Sequence, residues 1–184
     1  FNALLGLLEN LTNEFGNFSD TEKLELLKSL QKTSQNTYSL LVNLLDWARA
    51  QREGFSNHPV RVEVSPLVEE VFTILSPRAT QKKQQLLNEV PQEAICIIDR
   101  NVLLSVLINL VNNAIKFSPH GGSIRVKWNL TPEGKGIICV EDNGIGIPED
   151  KLEHIFELDN QFKRRGTDQE TGTGLGLLLV KEFL

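Results

Sequence analysis

The sequence predicts an α+β chain: an N-terminal helical hairpin, half of a dimeric four-helix bundle, followed by an α/β sandwich with helices on one face of a mixed sheet. Three observations lead there. Leucine-rich tracks at three- and four-residue spacing fill residues 1–52, as buried helix faces do. GFSNHP, residues 54–59, breaks that pattern with turn-forming residues. Beyond it, alternating stretches such as VRVEV and SIRVKWNL interleave with helical patterns. The break divides the chain into domains over residues 1–55 and 56–184.

In the first helix Leu4, Leu8, Leu11 and Phe15 share a face, and Gly16 and Asn17 stop it. Ser19 opens the second helix, with Glu22 at the spacing of a capping box. That helix is expected from about Asp20 to about Arg52. Leu24, Leu27, Tyr38, Leu41, Leu45 and Ala48 form one apolar track along it, and Leu30, Leu40, Leu44 and Trp47 a second. Two adjacent stripes exceed what one partner helix covers, so the hairpin is expected to form a homodimer. After the break, VRVEV reads as a strand. Ser65-Pro66 start a helix to about Lys83, with proline where its missing N–H is harmless. QLLNEV and AICII are short strands. Asp99 caps a long helix through Phe117, SPHGG turns, and residues 123–130 and GIICVED are strands. Residues 144–171 are polar and weakly periodic, and a last helix begins near Gly174.

With 40% hydrophobic and 23% charged residues, the composition is that of an ordinary globular protein. A net charge of -5 argues against nucleic-acid binding, which uses a basic face. No apolar run reaches the roughly 18 residues of a membrane span, so no membrane contact is expected. Cys96 and Cys139 lack metal-ligand spacing and read as buried free thiols of a reducing compartment. FNALLGLLENL has no basic flank and begins in mid-helix, so the chain reads as a piece of a longer protein.

NLVNNAIKFS, residues 109–118, places Asn109, Asn112 and Asn113 in a helix although asparagine is a poor helix former. Asn109 and Asn113 share a face, and Lys116 lies one turn beyond Asn113. Two amides and a cation can grip a magnesium-bound polyphosphate, because magnesium takes only one or two protein oxygens. Buried, mutually satisfied asparagines would look the same. Asn112 is on another face and reads as solvated. In EDNGIGIP a strand delivers Asp142 to its end, followed by Gly144 and Gly146. Glycines there let backbone approach a flat ligand, although a plain hairpin turn would also suit them. In TGTGLGLLLVKEF, Gly172, Gly174 and Gly176 lead into a helix, where free N–H groups suit phosphate.

Together these segments resemble the catalytic domain of sensor histidine kinases, within the superfamily that includes gyrase, Hsp90 and MutL. NLVNNAIKFS is similar to the asparagine box, DNGIGIP to the first glycine box and GTGLGL to the second. HIFELDNQF resembles the phenylalanine box through Phe156 and Phe162. The resemblance implies ATP and Mg as cofactors, with Asn113 on the metal, Lys116 on phosphate and Asn109 in support. It implies that Asp142 accepts from the adenine amino group and that Gly144 and Gly146 shape the adenine pocket. Gly172, Thr173, Gly174, Leu175, Gly176 and Leu177 would line the triphosphate. Between the glycine boxes would lie a lid carrying Lys163, Arg164 and Arg165; one of them could reach the γ-phosphate, while a solvated charge run accounts better for the cluster as a whole. Where hydrolysing branches of the superfamily carry a glutamate, this chain has Asn109, which favours transfer over hydrolysis.

The hairpin likewise resembles a dimerisation and phosphotransfer domain. The implied function is a cytoplasmic two-component kinase core. ATP would phosphorylate a histidine on the hairpin, and the group would pass to an aspartate of a response-regulator receiver domain. His58, His120 and His154 all lie outside the first helix. The acceptor is therefore expected upstream of Phe1, and the chain as it stands is not expected to phosphorylate itself. Both ends are expected to be truncated. The competing expectation is a degenerate kinase acting as a nucleotide-binding or scaffolding module.

Overall fold

The computed structural model describes residues 2–13, 15–53, 58–156, 164–170 and 176–184. Its contacts cluster into two units, Phe1–Ala48 and Arg49–Leu184.

The first unit holds helix α1 (Asn2–Asn13), a turn over residues 15–17 and most of helix α2 (Asp20–Glu53). The capping box forms as its spacing predicts. Glu22 Oε2 accepts from the Ser19 amide at 2.8 Å and from its hydroxyl at 2.7 Å, and the Ser19 hydroxyl in turn accepts from the Glu22 amide at 3.4 Å. These bonds hold the Glu22 carboxyl below its ordinary value. Of the expected apolar faces, Leu11 and Leu30 are buried, while Leu8, Phe15, Leu24, Leu27, Tyr38 and Leu41 are exposed in the single chain. The side chains of Leu4, Leu40, Leu44, Leu45, Trp47 and Ala48 lie outside the described residues.

The second unit runs β1 (Val60–Glu63), α3 (Val64–Gln81), β2 (Gln85–Glu89), β3 (Ile95–Ile98), α4 (Arg100–Phe117), β4 (Ser123–Leu130), β5 (Gly136–Asp142), a single turn α5 (Glu149–Leu152) and α6 (Gly176–Phe183). Strands β2, β4 and β5 form a mixed sheet in that order, β2–β4 parallel and β4–β5 antiparallel. Instead of joining that sheet, β1 and β3 form a separate antiparallel pair. The chain leaves β2 at Val90–Pro91, where proline has no donor to extend the ladder.

One face of the mixed sheet is apolar and the other is charged, and this decides where the helices go. Ile124 and Val126 of β4 are buried against Leu67, Val71, Leu107 and Val111 in one core. On β4, Arg125 and Lys127 alternate with them and pair with Glu89 and Glu141 on the neighbouring strands. Helices α3 and α4 cover the apolar face, and α6 packs on α4 through Leu178, Leu179 and Val180. The long helix α4 is therefore central, touching α3, α6, β4 and β5. The cysteines are half-buried free thiols on β3 and β5, less enclosed than their apolar runs suggest.

Candidate functional site

Asp99 starts α4 as expected, accepting from the amides of Asn101 at 2.8 Å and Val102 at 3.3 Å and so satisfying two free N–H groups. Leu103, Leu107, Val111 and Ala114 turn one face into the core, and Asn109, Asn113 and Lys116 sit half-buried beside it. Asn109 Nδ2 donates to the Ser105 carbonyl at 2.9 Å. Its Oδ1 faces the start of α6: a Cβ on Gly176 would lie 2.9 Å from Asn109 Oδ1 and 3.9 Å from Asn113 Nδ2. Glycine at 176 thus brings the first turn of α6 against the two amides. Among the described residues the Asn113 carboxamide makes no hydrogen bond. Asn112 is not simply solvated. It accepts from Arg78 Nη1 at 2.6 Å and ties α3 to α4.

Lys116 lies one turn further along, its ammonium 4.6 Å from the centre of the Phe117 ring. Burial holds its pKa below the usual lysine range; Glu170 opposes that shift and Lys82 reinforces it. A half-desolvated cation of this kind gains most from a phosphate partner.

The segment after β5 closes on the end of the same helix. Gly144 N donates to Asp142 Oδ1 at 2.7 Å, and Ile145 N donates to the Phe117 carbonyl at 3.2 Å. A Cβ on Gly144 would lie 2.6 Å from that carbonyl oxygen, so the close approach requires glycine. Gly146 takes the left-handed conformation at φ +65. Asp142 is exposed, with one oxygen committed to the turn and the other without a hydrogen bond among the described residues. Ile145 and Ile147, in the same turn, are also exposed. Asn143 locks the turn to β4 by accepting from Ser123 N at 2.7 Å.

The segment 164–170 returns to α4. Arg164 Nη1 donates to the Gly146 carbonyl at 3.4 Å, and Arg165 Nη1 to Gln169 Oε1 at 3.2 Å. The two arginines thus meet protein acceptors, and Lys163 lies outside the described residues, as does Phe162. Gly172, Thr173, Gly174 and Leu175 lie outside them too, whereas Leu177 is half-buried in the first turn of α6.

Lys82 and Glu170 were not singled out by the sequence. Lys82 is buried at the end of α3, where its ammonium bonds the Ile115 and Lys116 carbonyls at 3.1 and 3.0 Å, Thr167 Oγ1 at 2.7 Å and Glu170 Oε1 at 2.7 Å. The run QKKQQ carries no mark that separates this lysine from a solvated neighbour.

The structure therefore brings Asn109, Asn113 and Gly176 together at the α4–α6 junction, with Leu177 in the same turn of α6, Lys116 one turn further along α4 beside Gly166, and the Asp142–Gly146 turn held to the end of α4 through Gly144 and Ile145. Among the described residues no three His, Cys, Asp or Glu side chains form a metal cage. An amide oxygen, a desolvated cation and a helix N-terminus fit a magnesium ion carried mainly by phosphates.

The family model of histidine kinase-, DNA gyrase B- and HSP90-like ATPases matches residues 98–184. The sensor histidine kinase TmoS of Ectopseudomonas mendocina is 36% identical over 162 residues, covering 85% of this chain and 16% of TmoS. Among solved structures, the histidine kinase AdeS of Acinetobacter baumannii matches with a TM-score of 0.73 at 25% identity, over 99% of this chain and 81% of that one. Full-length ShkA in complex with AMPPNP matches with a TM-score of 0.68 at 26% identity, over 96% of this chain and 35% of ShkA. The chain spans less than half the length of the curated relatives it matches. Over residues 98–184 the chain matches the histidine kinase-, DNA gyrase B- and HSP90-like ATPases, and the relatives and solved structures support an ATP-binding catalytic domain similar to that of sensor histidine kinases.

Proposed function

We propose that this chain is part of a two-component kinase core that binds Mg-ATP and passes the γ-phosphoryl group to a hairpin histidine expected upstream of Phe1, and from there to an aspartate of a response-regulator receiver domain. The observation that carries this reading is the approach of Gly176 to Asn109 and Asn113. Gly176, the last glycine of the second box, lies beside two asparagines of the asparagine box although they are distant in sequence, which supports a shared site. The AMPPNP-bound relative of the same fold supports an adenine nucleotide as the ligand.

In this reading Asp142 accepts from the adenine amino group through its open oxygen, and Ile145 and Ile147 flank the ring. Lys116 binds phosphate, Asn113 offers its oxygen to magnesium, and the residues 172–177 line the triphosphate. Magnesium, when bound, neutralises phosphate charge. Transfer breaks the bond from the γ-phosphorus to the β-phosphate oxygen and forms one to an imidazole nitrogen, releasing ADP. The chain's part is positioning and charge stabilisation. Asn109 donates to the Ser105 carbonyl and is an amide, so it is no base for activating water. That favours transfer over hydrolysis. The exposed leucines of α1 and α2 support a homodimer in which two hairpins form a four-helix bundle. Among the described residues no helix is long and apolar enough to cross a membrane. We place the chain in the cytoplasm, as part of a longer sensor.

Labelling with γ-labelled ATP and magnesium tests the reaction. This chain is expected to gain no acid-labile label, because its three histidines lie outside the first helix. A longer chain that includes the upstream segment should gain the label, and lose it when the upstream histidine is changed to glutamine while ATP binding persists. Label on His58, His120 or His154 contradicts the assignment. A longer chain that binds ATP and never labels points to a nucleotide-binding or scaffolding module.

A further inference from the structure

We propose that Glu170 is a positioning residue for Lys116: anchored on the buried Lys82, it fixes the segment that wraps the Lys116 stem and so directs that lysine toward nucleotide phosphate. The proposal rests on the phosphate-binding role given to Lys116 above.

Lys82 is 3% exposed and its ammonium has four oxygen partners, so it is fixed in place. Two of those partners, Thr167 and Glu170, belong to the segment that leads into the second glycine box. A third is the backbone carbonyl of Lys116 itself, 3.0 Å away. The segment then wraps the Lys116 stem. Thr167 N donates to the Lys116 carbonyl at 3.1 Å. A Cβ on Gly166 would lie 2.7 Å from Lys116 Cγ on one side and would strike Glu170 Oε2 on the other. Gly166 is thus the thin wall between the carboxylate and the lysine stem. Glu170 is held from both ends, with Oε1 on Lys82 at 2.7 Å and Oε2 accepting from Asp168 N at 2.8 Å.

The charges explain why such a brace matters. Lys116 lies near a second, buried cation, and like charges favour loss of a proton or movement apart. Glu170 bonds Lys82 at 2.7 Å and flanks the Lys116 stem across Gly166, so its charge offsets that repulsion. Without it, Lys82 would push on Lys116 unopposed, and the segment 164–170 would lose its charged tie to α3. A simple structural clasp would also lose stability, but it would not single out the phosphate end of the ligand.

Calorimetric titration of the whole chain with ATP and magnesium, and separately with adenosine, distinguishes the two. Glu170→Gln should weaken ATP binding about tenfold, because Lys116 loses the brace that directs it to phosphate, and leave adenosine affinity unchanged. Glu170→Asp, which keeps the charge, should restore most of the loss. The double variant with Lys116→Gln should bind ATP no more weakly than Lys116→Gln alone, because both changes remove one interaction. Equal loss for ATP and adenosine, failure of Asp to rescue, or additivity with Lys116→Gln would overturn the positioning role. If Glu170→Gln does not fold, Thr167→Val, which removes another side-chain tie between this segment and Lys82, carries the same cycle with Lys116→Gln, and additivity there overturns the proposal. A parent that binds ATP and a Lys116→Gln variant that binds it equally well would defeat the phosphate assignment itself, and the positioning role with it.

Discussion

At Gly176 and Gly144 a missing methyl group permits a close approach, but the neighbours differ. The Gly144 position faces the Phe117 carbonyl, which is backbone and cannot move aside. Gly144→Ala should therefore destabilise the fold by about 2 kcal/mol and detach the Asp142 turn from α4. The Gly176 position faces the end of the Asn109 side chain. Gly176→Ala should cost about 1 kcal/mol or less in stability, yet weaken ATP binding about tenfold by displacing that amide. Thermal denaturation and titration with a fluorescent ATP analogue separate the two effects. Equal affinities for parent and Gly176→Ala would remove Asn109 from the site. These positions were legible in the sequence because glycines and helix-borne asparagines contradict local propensity, and such contradictions mark sites. Lys82 and the Arg78–Asn112 bond contradict nothing locally. They arise from residues more than thirty positions apart, and only tertiary packing reveals them.

Among the elements, α4 does most of the positioning, and the segment 164–170 clasps its end. The clasp is charged, so it depends on pH. Burial raises the Glu170 pKa, but the hydrogen bond and charge of Lys82, together with backbone amides, outweigh it and leave the carboxyl below its ordinary value. The folded state therefore holds this proton less tightly than the unfolded chain. The stabilisation is fully present above the ordinary glutamate pKa of about 4.3 and is lost as pH falls through the lowered folded value. Glu170→Gln should lower Tm at neutral pH, by an amount reflecting roughly 2 kcal/mol, since Lys82 is left buried without its anion. The gap between parent and variant should close in acid. A gap independent of pH would mean that the Glu170 charge contributes nothing. The strands β4 and β5 were readable from their alternation, and α4 from its cap. The division into two sheets was not, because periodicity reveals which face of a strand is buried and not which strand pairs with it.

At the scale of the whole molecule, the composition break near residue 54 and the clustering of contacts at Ala48–Arg49 fall close together. Leu24, Leu27, Tyr38 and Leu41 remain exposed along α2 in the single chain, more apolar surface on one element than solvent favours. A homodimer through residues 1–52 would cover it. Sedimentation at micromolar concentration should report about twice the chain mass of 20.7 kDa. A monomer throughout that range would leave the four-helix bundle without support.

Magnesium dependence at Asn113 is the sharpest probe of the nucleotide site. ATP should be titrated calorimetrically into the parent chain and into Asn113→Ala, each with magnesium and with a chelator. The parent should bind about tenfold or more tightly with magnesium present, and Asn113→Ala, still folded, should lose that gain because its oxygen ligand is gone. An Asn113→Ala chain that binds ATP as tightly as the parent under both conditions would contradict a Mg-ATP site built on α4.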